Sequence, residues 1–163
     1  YEIPLRLVGS EMCIRDSLIS CCDIAVAATE ASFAFSEVKL GLVPATISPY
    51  VIAAIGARQA QRYFLTAERF SAERAYEMGL IHEVVADQKL DDTIEHLLGQ
   101  ILNNGPDAIR VSKKLVEAVT NQQIDTALID YTSKVIADIR SSTEGQEGLD
   151  AFLTKRQPSW CKD

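Results

Sequence analysis

Histidine is scarce in this chain, two residues in 163, and cysteine hardly more frequent, four. His82 and His96 have no i, i+4 partner of ligand type, and no CxxC spacing occurs among Cys13, Cys21, Cys22 and Cys161. These absences argue against a zinc centre and a disulfide framework, and for histidines and thiols with ordinary structural roles. There is no GxSxG, GxxxxGK or GxGxxG, so serine-nucleophile and phosphate-loop chemistry are set aside. The longest apolar run, residues 51–55, is far too short to cross a bilayer, and no charged-then-apolar leader opens the chain. Basic clusters are also missing and the net charge is -7, which argues against nucleic acid or anionic membrane as a partner. A small anionic ligand stays open, since it needs only a local cationic pocket.

What is present is ordinary in amount: 47% hydrophobic and 24% charged residues, with no low-complexity tract. A chain of this length can bury a real core, and it is read as one soluble, cytoplasmic, globular piece. Residues 24–28 (IAVAA) and 33–35 (FAF) read as short buried strands, and 80–85 (LIHEVV) as another. Ser48 followed by Pro49 predicts a helix start, with Ser48 as N-cap. Gly56 interrupts that helix and residues 58–65 resume it. Ser71 and Gly79 bracket a further short helix. Beyond Asp87 the spacing changes to i, i+3, i+4 over residues 90–102, 106–119 and 124–139. A last helix is expected from Thr143, where Thr143 and Gln146 have capping-box spacing, to about Lys155 or Arg156.

Among residues that could carry chemistry, Glu37 leads, in FSEVKLGLVPATISPY, because Phe33, Phe35, Val38 and Leu40 surround it in sequence. Desolvation of that kind prepares a carboxyl to give and take a proton. The competing reading puts Glu37 in solvent at a strand end. Lys113, Lys114, Lys155 and Arg156 could meet phosphate, or could simply serve helix C-termini as dipole partners.

Four blocks then fall in order: CCDIAVAATEASFAFSEVKLGLVPA, AIGARQAQRYFLTAERFSAERAYEMGLIHEVV, NGPDAIRVSKKLV and EGLDAFLTKRQPSW. Together they resemble the crotonase, or enoyl-CoA hydratase/isomerase, superfamily. VPATISPY further resembles the branch that includes methylglutaconyl-CoA hydratases of leucine degradation. The resemblance implies an α/β fold, a crotonase-type spiral of ββα turns followed by a C-terminal helical trimerisation region, assembled as trimers or pairs of trimers. It implies acyl-CoA thioester substrates and a reaction with no cofactor or metal beyond the coenzyme A of the substrate.

Hydratases of this family hold a water between two glutamates, while two backbone N–H groups stabilise the thioester oxyanion. Glu37 falls on the second glutamate, in a P-E-x-x-L-G setting with Ser36 in place of proline. Ala45, after Pro44, falls where a glycine N–H commonly orients the water. Phe152 and Lys155 fall on positions that in some members touch the coenzyme A of a neighbouring subunit, by adenine packing and phosphate pairing. Isomerase chemistry, with one glutamate moving a proton between carbons, and a non-catalytic acyl-CoA-binding or oligomerisation module are the alternatives.

The first glutamate would stand at Ser17, and SEMCIRDS occupies the place of the glycine-rich oxyanion segment. Either the chain is a diverged member, or residues 12–17 are foreign sequence joined to a truncated hydratase. The second reading is adopted, because the resemblance begins abruptly at Leu18. The expected organisation is therefore a foreign segment over 1–17, a partial crotonase core over 18–86 and a helical region over 87–163. The fragment itself is expected to be inactive.

Overall fold

The computed structural model describes residues 19–161. The expectations that concern residues 1–17, Ser17 included, fall outside the described residues. The chain forms two compact units, Tyr1–Ile94 and Glu95–Asp163.

In the first unit the order is β1 (Val26–Ala28), β2 (Ser32–Phe33), a 3-10 helix (Glu37–Leu40), α1 (Ser48–Thr66), β3 (Phe70–Ser71), α2 (Ala72–Met78) and β4 (Glu83–Val85). β1 pairs in parallel with β4, Ala27 opposite Val84, and β2 pairs antiparallel with β3, Phe33 opposite Phe70. The parallel ladder is lengthened at its start by His82. Its N–H donates to the Ala25 carbonyl at 2.8 Å, and its Nδ1 accepts the Ala25 N–H at 3.1 Å. His82 is thus a strand-pairing residue, with the structural role expected for it.

The LIHEVV strand is shorter than its pattern predicts. The Leu80 N–H closes onto the Ala75 carbonyl at 2.9 Å, so Leu80 completes the end of α2 instead of joining the ladder. Leu80 and Ile81 sink into the core. Ser71 caps α2 by accepting the Arg74 N–H, and Gly79 ends it at φ 83°, both as the sequence predicts.

α1 also departs from expectation in detail. Its N-cap is Ile47, and Ser48 is already helical, so the Ser48 hydroxyl turns back and donates to the Ala45 carbonyl at 3.0 Å. Gly56 does break the helix, at φ 76° and ψ 155°. That conformation is one L side chains rarely adopt, which is why glycine stands there.

An aromatic group fills the centre of this unit. Phe35 is 1% exposed and meets Phe64 edge-on at 5.3 Å and Phe70 at 5.8 Å. Tyr63 lies 4.5 Å from Phe70, and Phe33 stacks on the same ring at 5.7 Å. Val51 and Ile55 of α1 close the core from the helix side.

α3 (Leu90–Leu102) runs across the boundary between the units, and α4 (Pro106–Val119), α5 (Thr126–Ser141) and α6 (Thr143–Thr154) follow. α4 packs on α5 and α6, and α5 on α6. The capping box expected at Thr143 is not what starts α6. Only Ser142 separates α5 from α6 and it has extended geometry, so Ser142 is the cap and accepts the Gly145 N–H at 3.0 Å. Gln146 instead donates to the Arg140 carbonyl. The turn is tight enough that a Cβ on Gly145 would overlap the Ile139 carbonyl oxygen.

The start of α4 is capped from a distance. The Glu144 carboxylate accepts the Asp107 N–H at 2.9 Å and the Ala108 N–H at 2.8 Å, satisfying two open donors at the positive helix end. In this unit Ala151 is the buried hydrophobic residue among the described ones. Apolar side chains such as Ile124, Ile136, Phe152 and Leu153 remain open to solvent.

Candidate active site

Glu37 opens the 3-10 helix after its N-cap Ser36, two residues beyond buried Phe35. That helix closes at Gly41, φ 71°, whose N–H donates to the Val38 carbonyl at 3.1 Å while the Leu42 N–H reaches the Glu37 carbonyl at 3.1 Å. These nested bonds form a glycine-terminated helix ending, and they fix the Glu37 backbone. A Cβ at Gly41 would meet open space, so the demand for glycine is conformational and not steric. Gly41→Ala is therefore expected to cost about 1–2 kcal/mol, the usual penalty for a left-handed L residue. A urea unfolding curve of the variant measures it, and an unchanged midpoint would refute the reading.

The carboxylate does not lie in solvent at a strand end. Glu37 is half-buried, and its Oε2 is buried without a hydrogen-bond partner. Native proteins seldom leave a buried carboxylate oxygen unsatisfied, because the desolvation cost has no return. Such an oxygen is suited to accept from, or donate to, a group that arrives from outside.

The following turn is built from backbone bonds. Ala45 donates its N–H to the Val43 carbonyl at 2.8 Å, forming a three-residue turn, and the Ser48 N–H reaches the Pro44 carbonyl at 3.0 Å. Ala45 is not among the residues with positive φ, so alanine replaces glycine there without backbone strain. Its N–H, however, is already engaged within the turn, and it serves a water only if that bond opens or is shared. Pro44 is half-buried, while Leu42 and Val43 stand exposed beside it.

Phe152 and Lys155 belong to the second unit, at the end of α6. Phe152 is 81% exposed, and Lys155 is the left-handed C-cap at φ 56°. Next to them is a clamp that sequence reasoning missed. Arg156 donates to both Glu147 oxygens, at 2.6 and 2.8 Å, and to Asp150 at 2.6 Å. The Ser159 N–H adds a bond to Glu147 Oε1 at 2.9 Å. Separations of nine and six residues do not follow helical spacing, because the chain reverses after Lys155, so no periodic signal announces the clamp.

Arg156 and the Ser159 N–H hold the Glu147 carboxyl down to about 2, from an ordinary value of 4.5. A lowered carboxyl value means that the clamp's stabilisation is complete above 4.5 and is lost as pH falls through about 2. Trp160, the single tryptophan, reports on this segment, since it packs against Gly148 and its indole N–H donates to the Asn103 carbonyl. Trp160 emission should hold steady down to the ordinary value and change only as pH approaches 2. A transition complete above 4.5 would contradict the assignment.

Two cavities among the described residues lie elsewhere. One of about 380 Å³ is lined by Gln122, Asp125, Leu128 and Tyr131, and one of about 240 Å³ by Tyr76, His82, Glu83 and Val84. Both are shallow and neither is lined by Glu37, so the unsatisfied carboxylate marks the site better than cavity size does. Among the described residues no group of His, Cys, Asp or Glu could hold a metal ion, and no helix is long and apolar enough to cross a membrane.

Residues 16–163 match the family described as enoyl-CoA hydratase/isomerase. A crystal structure from Legionella pneumophila carrying the enoyl CoA hydratase/isomerase (crotonase) designation is 50% identical, with a TM-score of 0.86, over 90% of this chain and 56% of that one. An enoyl-CoA hydratase structure from Shewanella pealeana is 49% identical, with a TM-score of 0.85, over 89% of this chain and 54% of that one. The short-chain-enoyl-CoA hydratase of Clostridium acetobutylicum is 29% identical over 137 residues, 83% of this chain and 52% of that protein. The chain thus spans about half the length of the curated relatives it matches.

Proposed function

Because the chain belongs to the enoyl-CoA hydratase/isomerase family, we propose that the protein adds water across the α,β double bond of an acyl-CoA thioester, with Glu37 as general acid/base. The observation that carries this reading is the buried, partnerless Glu37 Oε2 at the family's second glutamate position. In the forward reaction a water O–H bond breaks as its oxygen bonds to the β carbon, the π pair moves through the thioester enolate to the α carbon, and the Glu37 carboxylate takes the proton released by the water and returns one to the α carbon. Charge develops on the thioester oxygen, where backbone N–H donors are worth most. The family's water-orienting donor falls on Ala45, and opening of its bond to Val43 would make that N–H available.

Toward the coenzyme A bound to a neighbouring subunit, exposed Phe152 and Lys155 are suited to pack on adenine and pair with phosphate. The VPATISPY stretch favours a branched acyl group, as in leucine degradation. The open apolar faces of α4, α5 and α6 favour association, and a trimer or pair of trimers is the proposed assembly.

The test uses a chain of the relatives' full length with an enoyl-CoA substrate. Hydration removes the ultraviolet absorbance of the conjugated thioester and adds the mass of one water to the product. Isomerisation moves the double bond at constant mass, and a binding module leaves the substrate unchanged, so either result would replace the hydratase reading.

A further inference from the structure

We propose that Glu147 and Arg156 are positioning residues for the coenzyme A end of the substrate: their clamp holds the turn from which Lys155 is presented, and commits the guanidinium of Arg156 to two carboxylates of the same chain. The inference rests on the reading of Phe152 and Lys155 as coenzyme A contacts.

The sequence offers two adjacent cations, Lys155 and Arg156, and the structure treats them oppositely. Arg156 is satisfied by two carboxylates and by the Gln157 carbonyl at 3.2 Å. Both guanidinium terminal nitrogens are committed, in the bidentate geometry that a lysine cannot reproduce. Lys155 makes no ion pair among the described residues and is exposed. Of the two, Lys155 alone is available to an incoming phosphate.

The clamp also explains how a lysine keeps a left-handed backbone. The Lys155 N–H donates to the Phe152 carbonyl at 3.3 Å and the Arg156 N–H to the Ala151 carbonyl at 3.0 Å, a closure that reverses the chain. Glu147 ties both sides of the reversal, through the Arg156 side chain and the Ser159 N–H. Trp160 then seals it against Gly148. Loosening the clamp would free the Lys155 backbone to leave this conformation and would release Arg156 as a competing cation.

The experiment compares an enoyl-CoA with the same acyl group on N-acetylcysteamine, which lacks the nucleotide, using a full-length chain. Arg156→Ala and Glu147→Gln are expected to raise KM for the CoA thioester about tenfold, with kcat nearly unchanged and the truncated thioester unaffected. Lys155→Ala should do the same, and Arg156→Lys, which keeps charge without the fork, should fall between. Calorimetric titration with adenosine 3′,5′-bisphosphate reads the same site without turnover, and its affinity should fall in the same variants.

Equal effects on both thioesters, or unchanged CoA and bisphosphate binding in Arg156→Ala or Arg156→Lys, would overturn the inference while leaving hydration by Glu37 standing. A loss of hydration in Glu37→Gln with normal bisphosphate binding separates the two readings from the other side.

Discussion

Glutamine at position 37 in a full-length chain is expected to reduce hydration about 10²–10⁴-fold, the usual worth of a positioned acid/base. Glutamine keeps the size of the side chain and fits the same 3-10 helix, whose closure at Gly41 depends on backbone bonds alone. The variant therefore removes proton transfer with little change of fold. On the proposed mechanism the group acts in the chemical step, so kcat and kcat/KM should fall together while CoA affinity is retained. Turnover at the original rate would exclude Glu37 from the reaction. A rate lost together with the unfolding midpoint would assign it a structural part instead.

The second large effect is on stability. Phe35→Ala should cost about 3–5 kcal/mol, the range for removing a buried aromatic side chain. Phe35 is 1% exposed and touches both Phe64 and Phe70, so the vacated space is walled by rings held from α1 and β3. Those walls cannot collapse inward without pulling apart the β2–β3 pair that Phe70 anchors. Urea unfolding followed by circular dichroism measures the loss, and a cost under about 1 kcal/mol would mean that the core repacks. Activity should fall as well, since Phe35 lies two residues before Glu37 and anchors the segment that carries it.

Much of this structure is legible in local pattern. The bounds of α3 and α4 follow from apolar spacing and from Pro106, and the end of α2 follows from Gly79. The failures share one cause. At Ser48, at the Ser142–Thr143 junction and at Leu80, the residue that seemed suited to a role was displaced by one whose backbone geometry the neighbouring element set. A cap is chosen by φ and ψ as much as by side chain, and those angles come from how closely two elements are joined. The long-range partners, Glu144 at the start of α4 and Glu147 with Arg156, have separations that no periodicity marks.

For the site the division is similar. The order of sequence blocks sufficed to identify the family, which the match over residues 16–163 bears out, and it offered Glu37 as the candidate. Composition and missing motifs by themselves argued against metal, phosphate-loop and serine-nucleophile chemistry. Whether the carboxylate pointed to water or into the protein could not be read from its apolar neighbours, since a residue beside buried side chains can face either way. Only the tertiary structure decided it. Glu37 Oε2 is buried with no hydrogen-bond partner, and burial of that kind depends on how the folded chain packs around a side chain, which no local pattern states.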